Sequence, residues 1–544
     1  MTTTLTALAQ LAAIILVVYY GVTLLLKTRG GNGGKVRAAL PPGPKGLPLV
    51  GNIRDLPPPG TREWEHWAKH RSLYGPISSV TVFGTTIIVL NDARAAFELL
   101  EKRGSVHSSR PRMVFLMDLC GWRDAAASLP YGARLRAYRQ RFHRFVGTRA
   151  AFLGSGGGRY ASLLEVEARR FLLRALEQPD ALLQHARTEA GAIILQMAYG
   201  YTVDPRGGGA RDPLVAGADR ALAQFSVAAV PGAWLVDMLP VLRHMPSWVP
   251  GAGFQRTARF FRDTIMETAQ KPMEFVEHQM AAGMYQPSYV SEEIERAGGL
   301  DKITEDDRHV TKWSAASLYT GGADTSVSTM QTFFLAMLVY PEVQRKAQEE
   351  IDRVVGIQRL PTLEDRSKLP YVDAVVSESL RWHPVAPMGL PHVPIQDDIY
   401  EGYLIPKDAI IMPNIWFFTH DPEVYTDPLV FDPERYLVDS PPPDPRDYVF
   451  GFGRRICPGR LLADSSVWLT IAKSLSALEF RKPVVNGKEL EPSVLFEPGG
   501  ISHPYPFEAS IKPRSPGHEQ LIRAIENEHP WGKGSAESAQ GIWT

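Results

Sequence analysis

Between residues 450 and 460 the chain reads Phe-Gly-Phe-Gly-Arg-Arg-Ile-Cys-Pro-Gly-Arg, which sets one cysteine, Cys457, among glycines just ahead of a helical apolar pattern. A cysteine held this way can present a thiolate at a fixed point. Gly451, Gly453 and Gly459 permit tight turns and the close approach of a flat cofactor, and amides at the start of the following helix stabilise negative charge on sulfur. Arg455 can pair with a carboxylate of such a cofactor. For an isolated cysteine, a buried and inert residue in a glycine-rich turn is the better reading, so its surroundings matter.

Cys120 is the only other cysteine, which excludes a disulfide framework or a thiolate-based zinc site and suits a reducing, cytosol-facing compartment. Lysine plus arginine equals aspartate plus glutamate at 59 each, so the broad positive field of a nucleic-acid-binding protein is missing and no such partner is expected. Leu5–Leu26 carries no charge and is long enough to cross a hydrocarbon layer of about 30 Å as a helix. A cleaved signal peptide fits less well, because the start MTTT has no basic residue and no clear small-residue cleavage site follows. Lys27, Arg29, Lys35 and Arg37 come next and keep the remainder of the chain cytosolic, which in a eukaryotic cell places the anchor in the endoplasmic reticulum membrane.

Four segments are expected: a transmembrane anchor with its basic flank (1–29), a flexible linker and proline-rich hinge around Pro41-Pro42-Gly43-Pro44 (30–45), a catalytic body (46–513) and a polar tail (514–544) with little apolar periodicity, expected to be mobile. Within the body, β-branched residues on either side of Gly84 predict a hairpin. Helical periodicity dominates from Ala133 to Gly356, including Ala161–Leu176, Arg256–Met280 and Lys312–Tyr340. Strand-like segments return from Val385 to Pro433, followed by a helix over Arg460–Leu478 and a short β region reaching Pro513. No internal repeat is evident.

Phe450, Gly453, Arg455, Cys457 and Gly459 match the pattern FxxGxRxCxG without a gap, and this resembles the signature of the cytochrome P450 family. The proline hinge, a long central helix, the Glu378-Ser-Leu-Arg381 motif and the Phe431–Tyr436 segment occur in the family's order, so the resemblance covers nearly the whole chain, most of all fungal specialised-metabolism members. It implies a mainly α fold with small β-sheets, with haem b between a long central helix and the cysteine loop. Cys457 would be the axial iron ligand, whose electron donation favours O–O cleavage.

Glu378 and Arg381, three apart, fall on one helical face; such pairs are usually solvated contacts. By resemblance they join Arg435 in a buried network that supports the thiolate loop. In Ala315–Ser326 two adjacent glycines sit inside a predicted helix, where each costs about 1 kcal/mol relative to alanine. A packing contact or kink explains them on their own; by resemblance this is the oxygen-binding segment, with Thr325 and Asp324 handling protons. Arg139 lies in a stretch similar to the family's WxxxR helix, with Leu135 where tryptophan is usual, and His392 takes the place of a second contact to the haem carboxylates.

The access region implied by the resemblance, Met113–Leu119, Phe225–Phe254, Val385–Met388 and Gly499–His503, is largely apolar and favours a lipophilic small molecule. Trp234, Leu235, Met238, Leu239 and Trp248 are candidates for contact with membrane lipid. The reaction implied is O2-dependent hydroxylation, desaturation or epoxidation. No flavin or nicotinamide domain is evident, so NADPH-derived electrons are expected from a separate reductase docking near Arg139, Arg141 and Arg454. The alternatives are a haem-thiolate enzyme that rearranges or dehydrates a peroxide, a non-catalytic haem-binding membrane protein and, last, a cysteine hydrolase for which Cys457 has no specified histidine partner.

Overall fold

A computed structural model of the chain describes residues 21, 38–58, 60–148, 159–204 and 212–543. The predicted anchor, its basic flank and the glycine-rich linker fall almost wholly outside the described residues, among which no helix is long and apolar enough to cross a membrane.

The chain enters through the proline segment, which is fastened to the first sheet. Ser79 N donates to Pro42 O (2.8 Å) and Ser79 Oγ to Pro41 O (2.6 Å). A side chain at Gly43 would collide with the Ser79 carbonyl, its Cβ falling 1.8 Å from that oxygen, so this position needs glycine for close approach. Helix α1 (Glu63–Tyr74) leads into the hairpin β1 (Ile77–Val82) and β2 (Thr85–Leu90). Its two turn residues, Phe83 (φ 47°) and Gly84 (φ 81°), are both left-handed, as a tight two-residue hairpin turn requires.

The body is built from α2 (Ala133–Val146), α3 (Arg159–Glu177), α4 (Leu182–Tyr199), α5 (Pro213–Ala228), α6 (Gly253–Ala281), α7 (Glu305–Val339), α8 (Pro341–Val354) and α9 (Pro370–Trp382). Starts are written in the sequence: Asp212 accepts from the amides of Leu214 and Val215 ahead of Pro213, and Thr304 accepts from Asp307 N at the head of α7. At 35 residues α7 is about 50 Å long and, beyond its first two turns, buried on nearly every side, with Ser, Thr and Gln side chains set among the apolar ones. It runs through the centre against α4, α5, α6, α9 and α10 (Arg460–Ala477).

Strands β3 (Asp398–Tyr400), β4 (Tyr403–Ile405) and β5 (Ile410–Pro413) precede α10, and β6 (Leu478–Arg481), β7 (Val484–Val485), β8 (Lys488–Glu489) and β9 (Ser510–Pro513) follow it. Strand β5 joins the hairpin in parallel, Ile87 opposite Ile410 through Leu90 opposite Pro413, while β3–β4, β6–β9 and β7–β8 are antiparallel pairs. The architecture is mainly α with small sheets, as the sequence predicts, and the four long helices end within a few residues or, at the start of α7, seven residues of their predicted bounds.

The tail departs from expectation. It forms α11 (Pro516–Arg523), α12 (Ile525–Glu528) and α13 (Ala536–Trp543), the first two against α3 and the last against α6. Ile522, Ile525 and Ala539 are buried, Arg169 pairs with Glu528 (2.6 Å) and Trp543 Nε1 donates to Lys271 O (3.1 Å). Widely spaced apolar residues on short helices leave little periodicity to read, yet each fills a place on the body.

Candidate active site

A cavity of about 390 Å³ lies between α7 and the segment that carries Cys457. Phe450, Arg455, Cys457, Gly459, Arg139, His392 and Thr325 all line it, so seven of the residues singled out from the sequence meet on one wall or the other. Gly321 and Gly322 line it too, for different reasons. A Cβ at Gly321 would meet nothing within 4 Å, whereas at Gly322 it would come 3.0 Å from Ile194 of α4. One glycine leaves room in the cavity and the other admits a neighbouring helix.

On the cysteine side, Cys457 N donates to Phe450 O (2.8 Å), which closes the loop on itself. Burial pushes the Cys457 thiol up, while the Gly459 amide and the guanidinium groups of Arg139 and Arg460 pull the other way. Gly453 is not on the cavity wall. It packs behind the loop with φ 50°, where a Cβ would sit 2.6 Å from Leu100 O, so its part is to let two backbones meet.

Three guanidinium groups converge on this cavity with backbone carbonyls as their partners. Arg139 Nη1 donates to Ile456 O (2.9 Å). Arg455 donates to Ser108 O (2.6 Å), Leu129 O (2.6 Å) and Ala126 O (3.4 Å). Arg110, which nothing in the sequence singles out, donates to Ala127 O (3.0 Å), Leu390 O (2.9 Å) and Pro391 O (2.7 Å). Among the described residues no carboxylate acts on any of the three; burial, and then the neighbouring Arg455, hold Arg110 well below the usual arginine range, and burial with Arg139 beside it brings Arg455 down to about 10. Half-buried cations whose only partners are backbone carbonyls can still take up a bound group that carries carboxylates of its own. His392 Nδ1 lies 2.7 Å from His107 O and donates to it, which leaves Nε2 for the cavity.

Behind the loop, Glu378 and Arg381 are fully buried and all their polar atoms are used. Arg381 Nε and Nη2 donate to the two Glu378 oxygens (both 2.7 Å), Nη1 to Thr419 O (2.9 Å) and Pro428 O (2.7 Å), and Nη2 also to Val430 O (3.0 Å). Arg435 Nε and the Asp432 amide reach Glu378 Oε1 at 3.2 and 2.8 Å. A second clamp carries no local motif in the sequence: Arg446 and Arg366 both bond to Asp464 on α10 and both face Asp373 on α9, gripping the chain on each side of Cys457. Asp324 does not face the cavity; its carboxylate lies between Arg187 and His503, which hold it below the usual range although burial alone would raise it.

Away from the arginines the lining is largely apolar, with the hydroxyls of Ser317, Thr320, Ser326 and Thr329 on α7 set into it. Trp122 and Phe225 contact each other with ring centroids 4.7 Å apart, and Ala190, Ile193, Leu222, Leu318, Val385 and Ile501 join them.

Residues 41–507 match the family model described as Cytochrome P450. The chain is 48% identical over 497 residues to "Cytochrome P450 monooxygenase claR" of Ampulloclitocybe clavipes, covering 91% of this chain and 90% of that one. It is 46% identical over 509 residues to "Cytochrome P450 monooxygenase ppsD" of Aspergillus oryzae (93% and 94%), and 44% identical over 503 residues to "O-methylsterigmatocystin oxidoreductase" of Aspergillus flavus (92% of each). The chain belongs to the cytochrome P450 family. Its activity is that of an oxidoreductase, a monooxygenase; the peroxide-rearranging and non-catalytic readings find no support among these relatives.

Proposed function

We propose that the chain binds haem b through Cys457 and oxidises a neutral lipophilic small molecule in specialised metabolism. The observation that carries this is the convergence of Cys457 with three half-buried guanidinium groups that have no carboxylate partner among the described residues, in a cavity whose lining is otherwise largely apolar. Arg110, Arg139 and Arg455, with His392, would hold the two haem carboxylates. When bound there, haem supplies O2 activation, which the protein alone cannot perform.

Thr325 Oγ1 donates to Gly321 O (2.8 Å), so its proton is committed to the helix and its lone pairs are presented to the cavity, able to accept from a water. Asp324 stays ionised beside it and can bring a proton to that position only by releasing one of its two partners. The charged groups on the wall cluster on the cysteine side, so the apolar side selects an uncharged substrate by burial, roughly 25 cal/mol per Å². Hydroxylation, desaturation and epoxidation all fit this arrangement.

Electrons come from a separate NADPH-dependent reductase. Of the arginines expected to dock it, Arg139 is turned inward and Arg141 is paired with Glu293 and Asp307, which leaves Arg454, with Arg136 and Arg460, exposed around the cysteine loop. Charge reversal at Arg454 that leaves reductase affinity unchanged would count against this surface.

Membrane attachment is supported by the apolar segment 5–26 and by exposed Leu235, Val241, Trp248 and Phe260. Leu56, twelve residues past Pro44, lies against Gly232, three residues before Leu235. Trp234 stacks inward on Phe115 (3.6 Å) and Met238 is buried, so those two candidates are not among the exposed residues. The deciding experiment is the carbon monoxide difference spectrum of the reduced protein beside Cys457→Ala: a red-shifted Soret band lost in the variant supports the assignment, and a band that survives it sinks Cys457.

A further inference from the structure

His503 grips the central helix with both ring nitrogens. Nε2 lies 3.0 Å from Asp324 Oδ2, and Nδ1 lies 3.1 Å from Oε1 of Gln331, two turns further along α7. The other oxygen of Asp324 accepts from Arg187 Nη1 (3.2 Å), a guanidinium shared with Asp219 (3.7 Å).

His503 ends a short loop, Gly499–His503, that enters the active-site cavity. Gly500 and Ile501 are on the cavity wall; Ser502 and His503 are behind it. The loop is tied on three sides. Ser226 of α5 donates through Oγ to Ile501 O (2.8 Å) and accepts from Ile501 N (3.1 Å), while its carbonyl accepts from Gly500 N (3.2 Å). Ser502 N donates to Val385 O (2.9 Å), and Ser328 Oγ of α7 donates to Ser502 O (2.6 Å). Only His503 joins the loop to the helix through an ionisable pair, and that pair uses the acid next to Thr325.

We propose that His503 is a positioning residue that fixes the Gly499–His503 loop against α7 and so sets where Ile501 stands in the cavity, making the contact that restrains Asp324 also the one that decides which bulky molecules fit. The helix acid and the substrate wall are then two ends of one lever: a ligand that displaces Ile501 pulls on His503 and loosens Asp324. The loop's other ties are neutral hydrogen bonds, among them Ser502 Oγ with His383 Nε2 (2.7 Å), and a bond to an ionised carboxylate is roughly twice as strong as a neutral one.

This inference rests on the reading of the cavity as the haem and substrate site, and the test separates the two. Full-length haem-loaded protein is titrated with imidazole and with clotrimazole, and amide hydrogen exchange is followed in 499–503, for wild type, His503→Phe and His503→Gln. In His503→Phe the ratio of the two dissociation constants is expected to change by about tenfold, the factor one lost charged hydrogen bond carries, with imidazole itself little affected. Exchange in 499–503 is expected to quicken by a similar factor. His503→Gln, which keeps one donor, is expected to fall between, and it carries the test if the phenylalanine variant does not fold. A ratio or an exchange rate equal to wild type overturns the inference. A wild type without the thiolate band in carbon monoxide defeats the haem reading instead, and the exchange rates still judge His503.

Discussion

Arg139 Nη1 lies 2.9 Å from the carbonyl oxygen of Ile456, so α2 grips the backbone one residue ahead of Cys457. The same guanidinium faces the cavity. Arg139→Ala removes a charged hydrogen bond and a cation from the haem pocket, a loss of about 1.5–3 kcal/mol. The variant is expected to hold haem more weakly by about ten- to a hundredfold, measured as haem released to apomyoglobin over time. Retention equal to wild type would show that Arg110 and Arg455 suffice.

The Glu378–Arg381 pair is fully buried and fastens the 419–435 segment through three carbonyls. Arg381→Lys keeps the charge but loses the planar fork, leaving carbonyls and a carboxylate oxygen without donors. Breaking a buried pair costs about 3–5 kcal/mol, so thermal unfolding should move down by many degrees or the variant should fail to accumulate. An unchanged unfolding temperature would remove this network from the supports of the cysteine loop.

The two glycines of α7 should part company on substitution. Gly321→Ala meets open space and gains helix propensity, about 1 kcal/mol, so it should raise the unfolding temperature while narrowing the cavity. Gly322→Ala must displace Ile194, and overpacking of about 1–3 kcal/mol matches or exceeds the same gain. Calorimetry should rank Gly321→Ala above wild type and Gly322→Ala below it; the reverse order would mean that α4 yields easily.

His70 and His185 are buried, and burial drags both down to about 4 from the usual 6.5. Their unfolded forms take up protons near 6.5, so the contribution to stability is complete above that pH and is lost as pH falls from 6.5 towards 4. At pH 5 the loss is up to about 2 kcal/mol for each. Unfolding should therefore occur at a lower temperature at pH 5 than at pH 7.5, and His185→Gln should flatten that dependence.

Leu235 and Trp248 are 52% and 75% exposed. Replacing both with serine in protein lacking residues 1–37 should reduce cosedimentation with phosphatidylcholine vesicles by about tenfold, as the loss of two interfacial anchors predicts. Equal binding would place the lipid contact elsewhere.

Much of this was legible because it is local. The hairpin at Phe83-Gly84, the long helices and the cysteine loop each announce themselves through period, turn residues or spacing. Arg110 does not. In Ser-Ser-Arg-Pro-Arg-Met it looks like Arg112, yet Arg110 points into the cavity while Arg112 pairs with Asp118 at the surface. The Arg446–Asp464 clamp and the His503–Asp324 pair join residues far apart in the chain, and only packing brings them together. Gly321 and Gly322 are alike in the sequence, and their separate tasks depend on where Ile194 happens to lie. Asp324, grouped with Thr325 by position, turns to the other side of the helix because its partners wait there.

The parallel pairing of β2 with β5 also bears on how the chain comes to be folded. Ile87–Leu90 find their partners only at Ile410–Pro413. During synthesis the hairpin can close early, but for more than three hundred residues afterwards its second strand shows an unpaired edge of Ile, Ile, Val and Leu. Such an edge is a template for wrong pairing between nascent chains, so overexpression should be limited by aggregation before β5 arrives, and slower translation or a chaperone covering that edge should raise the yield.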